Sequence, residues 1–140
     1  MSSKKMMQAY QNANREAVAE SENPHALITV LFEELLRAMR SYVSNVEKNN
    51  SPEPEQTAQF SRALMILYGL QSSLNFDEGG EIAENLFRLY EYARQQMLTT
   101  SREGQTAGTL TAIEAIESIC DAWRQIDGSN GGGADKAPAE

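Results

Sequence analysis

Apolar residues recur every three or four positions through most of the chain, the spacing that gathers them on one face of an α-helix. The first run follows Asn23 and Pro24, residue types that suit the N-cap and the first position of a helix. It continues to a linker of asparagine, serine and proline, "NNSPEP". Its apolar stripe comprises Leu27, Ile28, Leu31, Phe32, Leu35, Leu36, Met39, Tyr42, Val43 and Val46. A stripe of this width predicts a helix that contacts more than one neighbour.

Three further runs predict three further helices, over about residues 54–74, 80–100 and 106–126. The second helix carries its apolar face on Phe60, Ala63, Leu64, Leu67, Leu70 and Leu74. The third carries Ile82, Leu86, Leu89, Tyr90, Ala93 and Met97. The fourth carries Leu110, Ile113, Ile116, Cys120, Trp123 and Ile126. Alternating β-branched runs, which would indicate strands, are nearly absent. The fold class is therefore predicted to be all-α.

The connection between the second and third helices contains the stretch "NFDEGGEI". We expect the second helix to end at Asn75, which tolerates the left-handed backbone conformation, with Phe76 folded back onto Leu70. Gly79 and Gly80 are then predicted to form the hairpin turn between the two helices. The acidic residues beside them place negative charge near the positive end of the third helix.

Four helices of roughly 20 residues are each about 30 Å long, and short connections favour antiparallel neighbours. We therefore predict an antiparallel up-down four-helix bundle formed by residues 21–127. Residues 1–20 hold loosely periodic apolar residues and are predicted to form a short N-terminal amphipathic segment. Residues 128–140, "GSNGGGADKAPAE", carry no apolar residue larger than alanine or proline and are predicted to be a disordered C-terminal tail.

The charge of the chain narrows the choice of partner. The formal net charge is -8, so a nucleic acid or an anionic membrane surface is a poor fit. The longest uncharged run, residues 63–76, is too short to span a bilayer. A lone cysteine, Cys120, and a start unlike a secretory signal favour the reducing cytoplasm. We expect a cytoplasmic protein with no nucleic-acid partner and no membrane span.

The sequence contains few residue patterns that would indicate a catalytic or metal site. The chain has one histidine, His25, and no histidine or cysteine cluster that would complete a metal site or a catalytic triad, so we expect a surface or cap residue. Cys120 falls on the apolar edge of the fourth helix, where a cysteine usually behaves as a small buried hydrophobe. The "DEGG" stretch lacks the glycine spacing and the lysine of a phosphate loop. We expect no catalytic residue, metal, cofactor or enzymatic activity.

The third helix carries more apolar surface than one bundle needs. Phe87 and Tyr92 lie off the stripe that begins at Ile82 and widen its apolar arc. A helix that is apolar on nearly two faces indicates a partner outside its own bundle. Met6 and Met7 fit the adaptable surfaces that accept helices, although methionines also fill gaps in ordinary cores.

A longer stretch, "SLNFDEGGEIAENLFRLYEY" at residues 73–92, resembles the signature of the FliS family of flagellar export chaperones. Other elements agree in order: "AY" at 9–10, "NPHALI" at 23–28 with "LFEEL" after it, and "DAWRQI" at 121–126. The resemblance covers about residues 6–126, and its pieces together are more specific than any one alone. The linker "NNSPEPEQT" looks longer than is usual in the family, and the glycine-rich tail is a second departure.

The resemblance implies a chaperone that binds the polymerisation-prone C-terminal segment of flagellin in the cytoplasm and delivers it to the flagellar type III export gate. In the family, that segment becomes helical in apolar grooves, and the chaperone's own N-terminal segment covers one groove until displaced. Carried onto this chain, the covering and export-gate segment contains Met6, Met7 and Tyr10. The flagellin-binding groove is expected to comprise Ile28, Leu31, Phe32, Leu64, Leu67, Ile82, Leu86, Leu89 and Tyr90.

Other interpretations of the apolar excess stay open at this point. One is a self-associating or regulatory bundle, and another is a bundle that holds a different helical client such as an anti-sigma factor. An enzyme with an unseen cofactor is a third, with no residue pattern in its favour. The resemblance favours a monomer that binds one client.

Overall fold

The structure is a computed structural model that describes residues 23–49 and 54–126. These residues form four helices, α1 (Pro24–Asn49), α2 (Pro54–Ser72), α3 (Phe76–Glu103) and α4 (Ala107–Ile126), with no strand among them. The predicted all-α class with four helices is confirmed. The predictions for the N-terminal segment, with Met6, Met7 and Tyr10, and for the tail at 128–140 lie outside the described residues.

The helices form a ring in which each packs against two neighbours, α1 against α2 and α4, and α3 against α2 and α4. Ion pairs across the α1–α4 seam show that these two helices are antiparallel. A guanidinium nitrogen of Arg40 lies 3.0 Å from a carboxylate oxygen of Glu117, and one of Arg124 lies 3.2 Å from Glu33. The start of α1 and the end of α4 therefore lie at one end of the bundle, where residues from the end of α2 and the start of α3 also meet.

The core fills the centre of the ring with side chains from all four helices. Leu35, Leu67, Met97 and Ile116 have no exposed surface, and burying a side chain of this kind contributes about 1.5–3 kcal/mol. Cys120 is equally buried, so the prediction that it packs as a small hydrophobe is confirmed. Burial raises the pKa of the Cys120 thiol, which disfavours the nucleophilic thiolate.

The start of α1 follows the prediction from its residue types. The side-chain Oδ1 of Asn23 accepts a hydrogen bond from the Ala26 N–H at 3.0 Å. Pro24 is the first helical residue, where its missing N–H donor costs nothing. The entry of the chain into α1 is therefore fixed by a local cap.

The start of α3 differs from the prediction. Asn75 has an extended backbone, with φ −110° and ψ 100°, and its side chain accepts a hydrogen bond from the Glu78 N–H at 3.1 Å. It is the N-cap of α3, because the free N–H groups of a helix start offer its amide oxygen a donor that a helix end lacks. Phe76 begins α3 and packs edge-on against Phe87, with ring centroids 6.0 Å apart. The expected left-handed end of α2 at Asn75 is therefore wrong, and Phe76, expected to fold back from that end onto Leu70, instead begins α3.

The glycine pair lies one turn inside α3, so its predicted role as the hairpin between helices is also wrong. The Gly79 N–H donates to the Asn75 carbonyl at 2.7 Å, which closes the first helical turn. Gly80 then adopts φ 51° and ψ −125° and kinks the helix, in a backbone region that side chains with a Cβ rarely enter. The connection from α2 to α3 is the three-residue stretch 73–75.

Two buried threonines close the connection from α3 to α4. The Thr100 hydroxyl donates to the Gln105 carbonyl at 2.7 Å, and the Thr109 hydroxyl donates to the Gln96 carbonyl at 3.0 Å. Gly104 ends α3 with φ 78°, and its N–H donates to the Thr100 carbonyl at 2.8 Å. Because buried polar groups without partners are costly, this satisfied cluster fixes the turn.

A small polar network joins α2 to α3 at the surface. Gln71 Nε2 donates to Glu91 Oε1 at 3.3 Å and to the Phe87 carbonyl at 3.4 Å. Glu91 also accepts hydrogen bonds from Arg94, at 2.6 and 3.1 Å, and from Gln95 at 3.1 Å. The hydrogen bonds from Arg94 are the main cause that lowers the pKa of the Glu91 carboxyl to about 2.

The substitution Gly80→Ala tests whether the backbone of α3 is kinked at residue 80. The added Cβ of Gly80→Ala meets no atom within 4 Å, so its cost is backbone strain, and we expect the free energy of unfolding to fall by about 1–3 kcal/mol. Glu81→Ala, at the exposed next residue, is the control and should change little. Urea denaturation compares the two variants with the wild-type protein. A Gly80→Ala midpoint equal to that of the wild type would contradict the kink.

The Glu91 network predicts a pH-dependent part of the stability. The pKa of Glu91 is depressed in the folded state, so its stabilisation is present above 4.5 and is lost as the pH falls towards about 2. Its side chain is 36% exposed, so water screens the pair and we expect about 1 kcal/mol at most. Glu91→Gln should therefore be less stable than the wild type in urea denaturation at pH 7 and should approach it as the pH falls to about 2. A stability difference that is the same at both pH values would contradict this role.

Candidate binding groove

An apolar groove of about 1080 Å³ opens at the end of the bundle where α1 and α3 begin. All four helices contribute to its walls. The large apolar lining side chains are Ile28 and Phe32 of α1, Leu70 of α2, Leu74 of the connection after α2, Ile82, Leu86 and Tyr90 of α3, and Ile119, Trp123 and Ile126 of α4. The volume lies just above the range of about 300–1,000 Å³ found for ligand sites, so the groove has room for several side chains of a partner.

Aromatic rings form the floor of the groove. Phe32 and Tyr90 are each only 2% exposed, and their ring centroids lie 6.5 Å apart. Trp123 meets the Phe32 ring edge-on at 6.4 Å, a geometry that aromatic pairs favour. Burial raises the pKa of the Tyr90 hydroxyl well above its usual value, which further favours the neutral phenol.

Two isoleucines at the groove project into water. Ile82 is 71% exposed and Ile126 is 51% exposed, although both are among the lining residues. Covering apolar surface contributes about 25 cal/mol of favourable free energy for each Å² removed from water. The groove therefore favours an occupant that covers these side chains.

The structure brings five of the nine predicted groove residues together, namely Ile28, Phe32, Ile82, Leu86 and Tyr90. The other four do not line this groove. Leu67 is fully buried in the core, and Leu31, Leu64 and Leu89 are partly buried against that core. The assignment of all nine to flagellin binding stays a prediction.

Residues of α4 were absent from the predicted groove, although Ile119, Trp123 and Ile126 form one of its walls. The signal that could have found them is the stretch "DAWRQI", where an aromatic residue and an isoleucine stand three positions apart at the end of the last helix. Leu74, in the connection after α2, was predicted only as part of an apolar face. These residues meet because antiparallel packing brings helix ends together.

His25 makes a tertiary contact that its prediction as a surface or cap residue missed. Its ring stacks on the Trp123 indole with centroids 4.5 Å apart and an angle of 11° between the planes. His25 Nε2–H donates to the Trp123 carbonyl at 2.7 Å, and Trp123 Nε1–H donates to the His25 carbonyl at 3.1 Å. Both residues line the groove, so this pair forms part of its wall.

Helix α3 carries many of the exposed apolar side chains, one of them, Ile82, at the groove and the others outside it. Four of the eight large hydrophobic residues that are exposed in the described part of the chain belong to α3: Phe76, Ile82, Phe87 and Tyr92. The ion pairs between helices all join α1 to α2 or α4 within those same residues, and none joins α3 to a neighbour. The predicted apolar breadth of the third helix is thus present in the structure.

The described ranges contain no cluster of three or more histidine, cysteine, aspartate or glutamate residues that could hold a metal ion. Within the same ranges no helix combines the length and the apolar character that crossing a bilayer requires. The surface of the groove is mostly apolar, with a few polar residues such as Glu78 among its lining, so it can bind and bury a partner's apolar surface.

Comparison with known proteins points to one family. The model of the family described as flagellar protein FliS matches residues 6–130. The chain is similar to the flagellar secretion chaperone FliSB of Pseudomonas aeruginosa, with 32% identity over 115 residues that cover 82% of this chain and 86% of that protein. It is 28% identical to the flagellar secretion chaperone FliS of Salmonella typhimurium over 121 residues, covering 86% and 88% of the two chains. For FliS of Vibrio cholerae the identity is 26% over 120 residues, covering 86% and 87%.

Proposed function

This chain belongs to the FliS family of non-enzymatic flagellar secretion chaperones, and we propose that it binds the C-terminal segment of flagellin in the cytoplasm. Binding prevents premature polymerisation of flagellin, and the complex delivers flagellin to the flagellar type III export apparatus. The observation that carries the proposal is the apolar groove of about 1080 Å³ with its exposed isoleucines. Such a surface needs a partner, and a flagellar chaperone has a flagellar client.

The walls of the groove favour a helical client. They consist of helices, whose backbone N–H and C=O groups are hydrogen-bonded within each helix, so an extended segment would find no strand edge to pair with. A helix satisfies its own backbone groups and can place apolar side chains in the groove. Because the flagellin segment would become ordered only on binding, its ordering entropy must be offset by burial of roughly 1,000–3,000 Å².

The outer surface of α3 extends the contact beyond the groove. Ile82 lies at the groove, and Phe76 and Phe87 form an exposed aromatic pair on the same helix. No interhelical ion pair of the described residues crosses the seams beside α3. A client that follows α3 out of the groove therefore displaces no salt bridge between helices.

The N-terminal segment is proposed to cover the groove before flagellin arrives. Asn23 and Pro24 line the groove, so residues 1–22 join the bundle at its edge. Met6, Met7 and Tyr10 supply apolar side chains within reach of a short chain segment. Displacement by flagellin would then free the same residues to contact the export gate.

Ile82→Asp tests the groove as the flagellin site. A carboxylate at this exposed position leaves the core intact but opposes an apolar client helix, so we expect affinity for flagellin to fall on the order of tenfold or more with an unchanged unfolding midpoint. Met65→Asp is the matched control, because Met65 is 62% exposed and lies outside the groove. Titration calorimetry with full-length flagellin measures the affinities. Flagellin that lacks its C-terminal segment should not bind at all. The proposal would be overturned if gel filtration showed no complex between the wild-type chain and intact flagellin.

Tyr10→Ala tests the covering segment. We expect the bundle to keep its stability, while the affinity for flagellin or for the export gate changes, because the covering contact competes with the client. Pull-down with the export-gate protein and titration with flagellin measure the two affinities, and urea denaturation measures stability. A loss of several kcal/mol in the free energy of unfolding would show instead that Tyr10 belongs to the core.

A further inference from the structure

The pair of His25 and Trp123 joins the first turn of α1 to the last turn of α4, across 98 residues of sequence. Three contacts act together: the stacked rings at 4.5 Å and the two reciprocal hydrogen bonds at 2.7 and 3.1 Å. In each bond a side-chain N–H of one residue donates to the backbone carbonyl of the other. The geometry is that of a clasp between two helix ends, and we use that name for this pair.

Each hydrogen bond of the clasp satisfies a polar group of Trp123 that has no partner within α4. The last four carbonyl groups of an α-helix have no partner within the helix, and the carbonyl of Trp123 is one of these in α4. His25 supplies the missing donor from a different helix. The indole N–H of Trp123 finds the His25 carbonyl, which avoids leaving an unpaired donor beside an apolar groove.

We propose that His25 is a positioning residue for the groove, because its clasp holds Trp123 as a fixed apolar wall before a client arrives. The inference rests on the proposed binding function of the groove. Trp123 is only partly buried and stands three residues before the end of α4, where helices fray. The clasp and the edge-on contact with Phe32 hold its ring from two sides. A wall that is ordered in advance spares the client the entropic cost of ordering it.

A second contact on the same seam offers a control. Arg124 pairs with Glu33 across α1 and α4 at 3.2 Å, one residue beyond Trp123. Both side chains are about half exposed, at 45% and 50%, and ion pairs of this kind contribute little. If every contact between α1 and α4 supported the groove equally, removal of this ion pair would weaken flagellin binding as much as removal of the clasp.

The test compares four proteins as full chains: the wild type, His25→Ala, His25→Gln and Arg124→Gln. The alanine variant loses the stack and the bond to the Trp123 carbonyl, whereas a glutamine amide can reach that carbonyl as the imidazole does. We expect affinity for flagellin to fall on the order of tenfold in His25→Ala and to stay within about threefold of the wild type in His25→Gln and Arg124→Gln. Titration calorimetry is run at a temperature where urea denaturation shows every variant folded.

Tryptophan fluorescence of the free proteins gives a readout that does not depend on flagellin. Trp123 is the single tryptophan of the chain, so its emission reports the order of the groove wall. We expect a red shift in His25→Ala, because the freed indole meets more water, and little shift in Arg124→Gln. The glutamine variant should lie close to the wild type.

The two measurements, affinity for flagellin and tryptophan emission, distinguish a wrong role for His25 from a wrong proposed function. Wild-type affinity and unshifted emission in His25→Ala, or a His25→Gln affinity as weak as that of His25→Ala, would overturn the clasp as a positioning device. If the wild type itself does not bind flagellin, the proposed function fails. The emission of the free His25→Ala protein then tests the clasp by itself. A red shift supports a Trp123 ring held in place by His25, and an unshifted spectrum refutes it.

Discussion

A four-helix bundle has to fill the space between its helices, and the packing of this one is complete at the centre but open at one end. Leu35, Leu67 and Met97 leave no exposed surface in the middle of the ring. Towards the starts of α1 and α3, Phe32 and Tyr90 close the floor, and a groove of about 1080 Å³ remains above them. The proposed binding function rests on this unfilled end, because the closed centre stabilises the bundle and the groove leaves space that a client helix would fill.

Sequence reasoning succeeded where the structure depends on local spacing. The four helices were predictable because each apolar stripe repeats with the helical period within its own segment. The α1 start at Asn23 and Pro24 was predictable because a cap is made by neighbouring residues. The breadth of the apolar surface on α3 was equally visible, since residues such as Phe87 fall off the main stripe. Membership of the FliS family was indicated by the same signature that the family model covers.

The remaining features depend on contacts that spacing does not contain. Leu67 and Leu86 both lie on apolar stripes, but only tertiary packing decides that the first is core and the second lines a groove. His25 and Trp123 meet across 98 residues, so neither could be assigned to the other beforehand. Asn75 suited both a helix end and a helix start by residue type, and the hydrogen bond from the Glu78 N–H decides for the start.

In the proposed complex, flagellin's C-terminal segment lies as a helix in the groove beside Trp123. The most direct measurement is a fluorescence titration of the chain with a tryptophan-free peptide of that segment, followed through the single tryptophan. We predict a blue shift of the Trp123 emission that saturates at one peptide per chain, because the client removes water from the groove wall. A peptide that forms a stable complex on gel filtration and leaves the Trp123 emission unchanged would contradict this binding mode, since the client would then bind elsewhere.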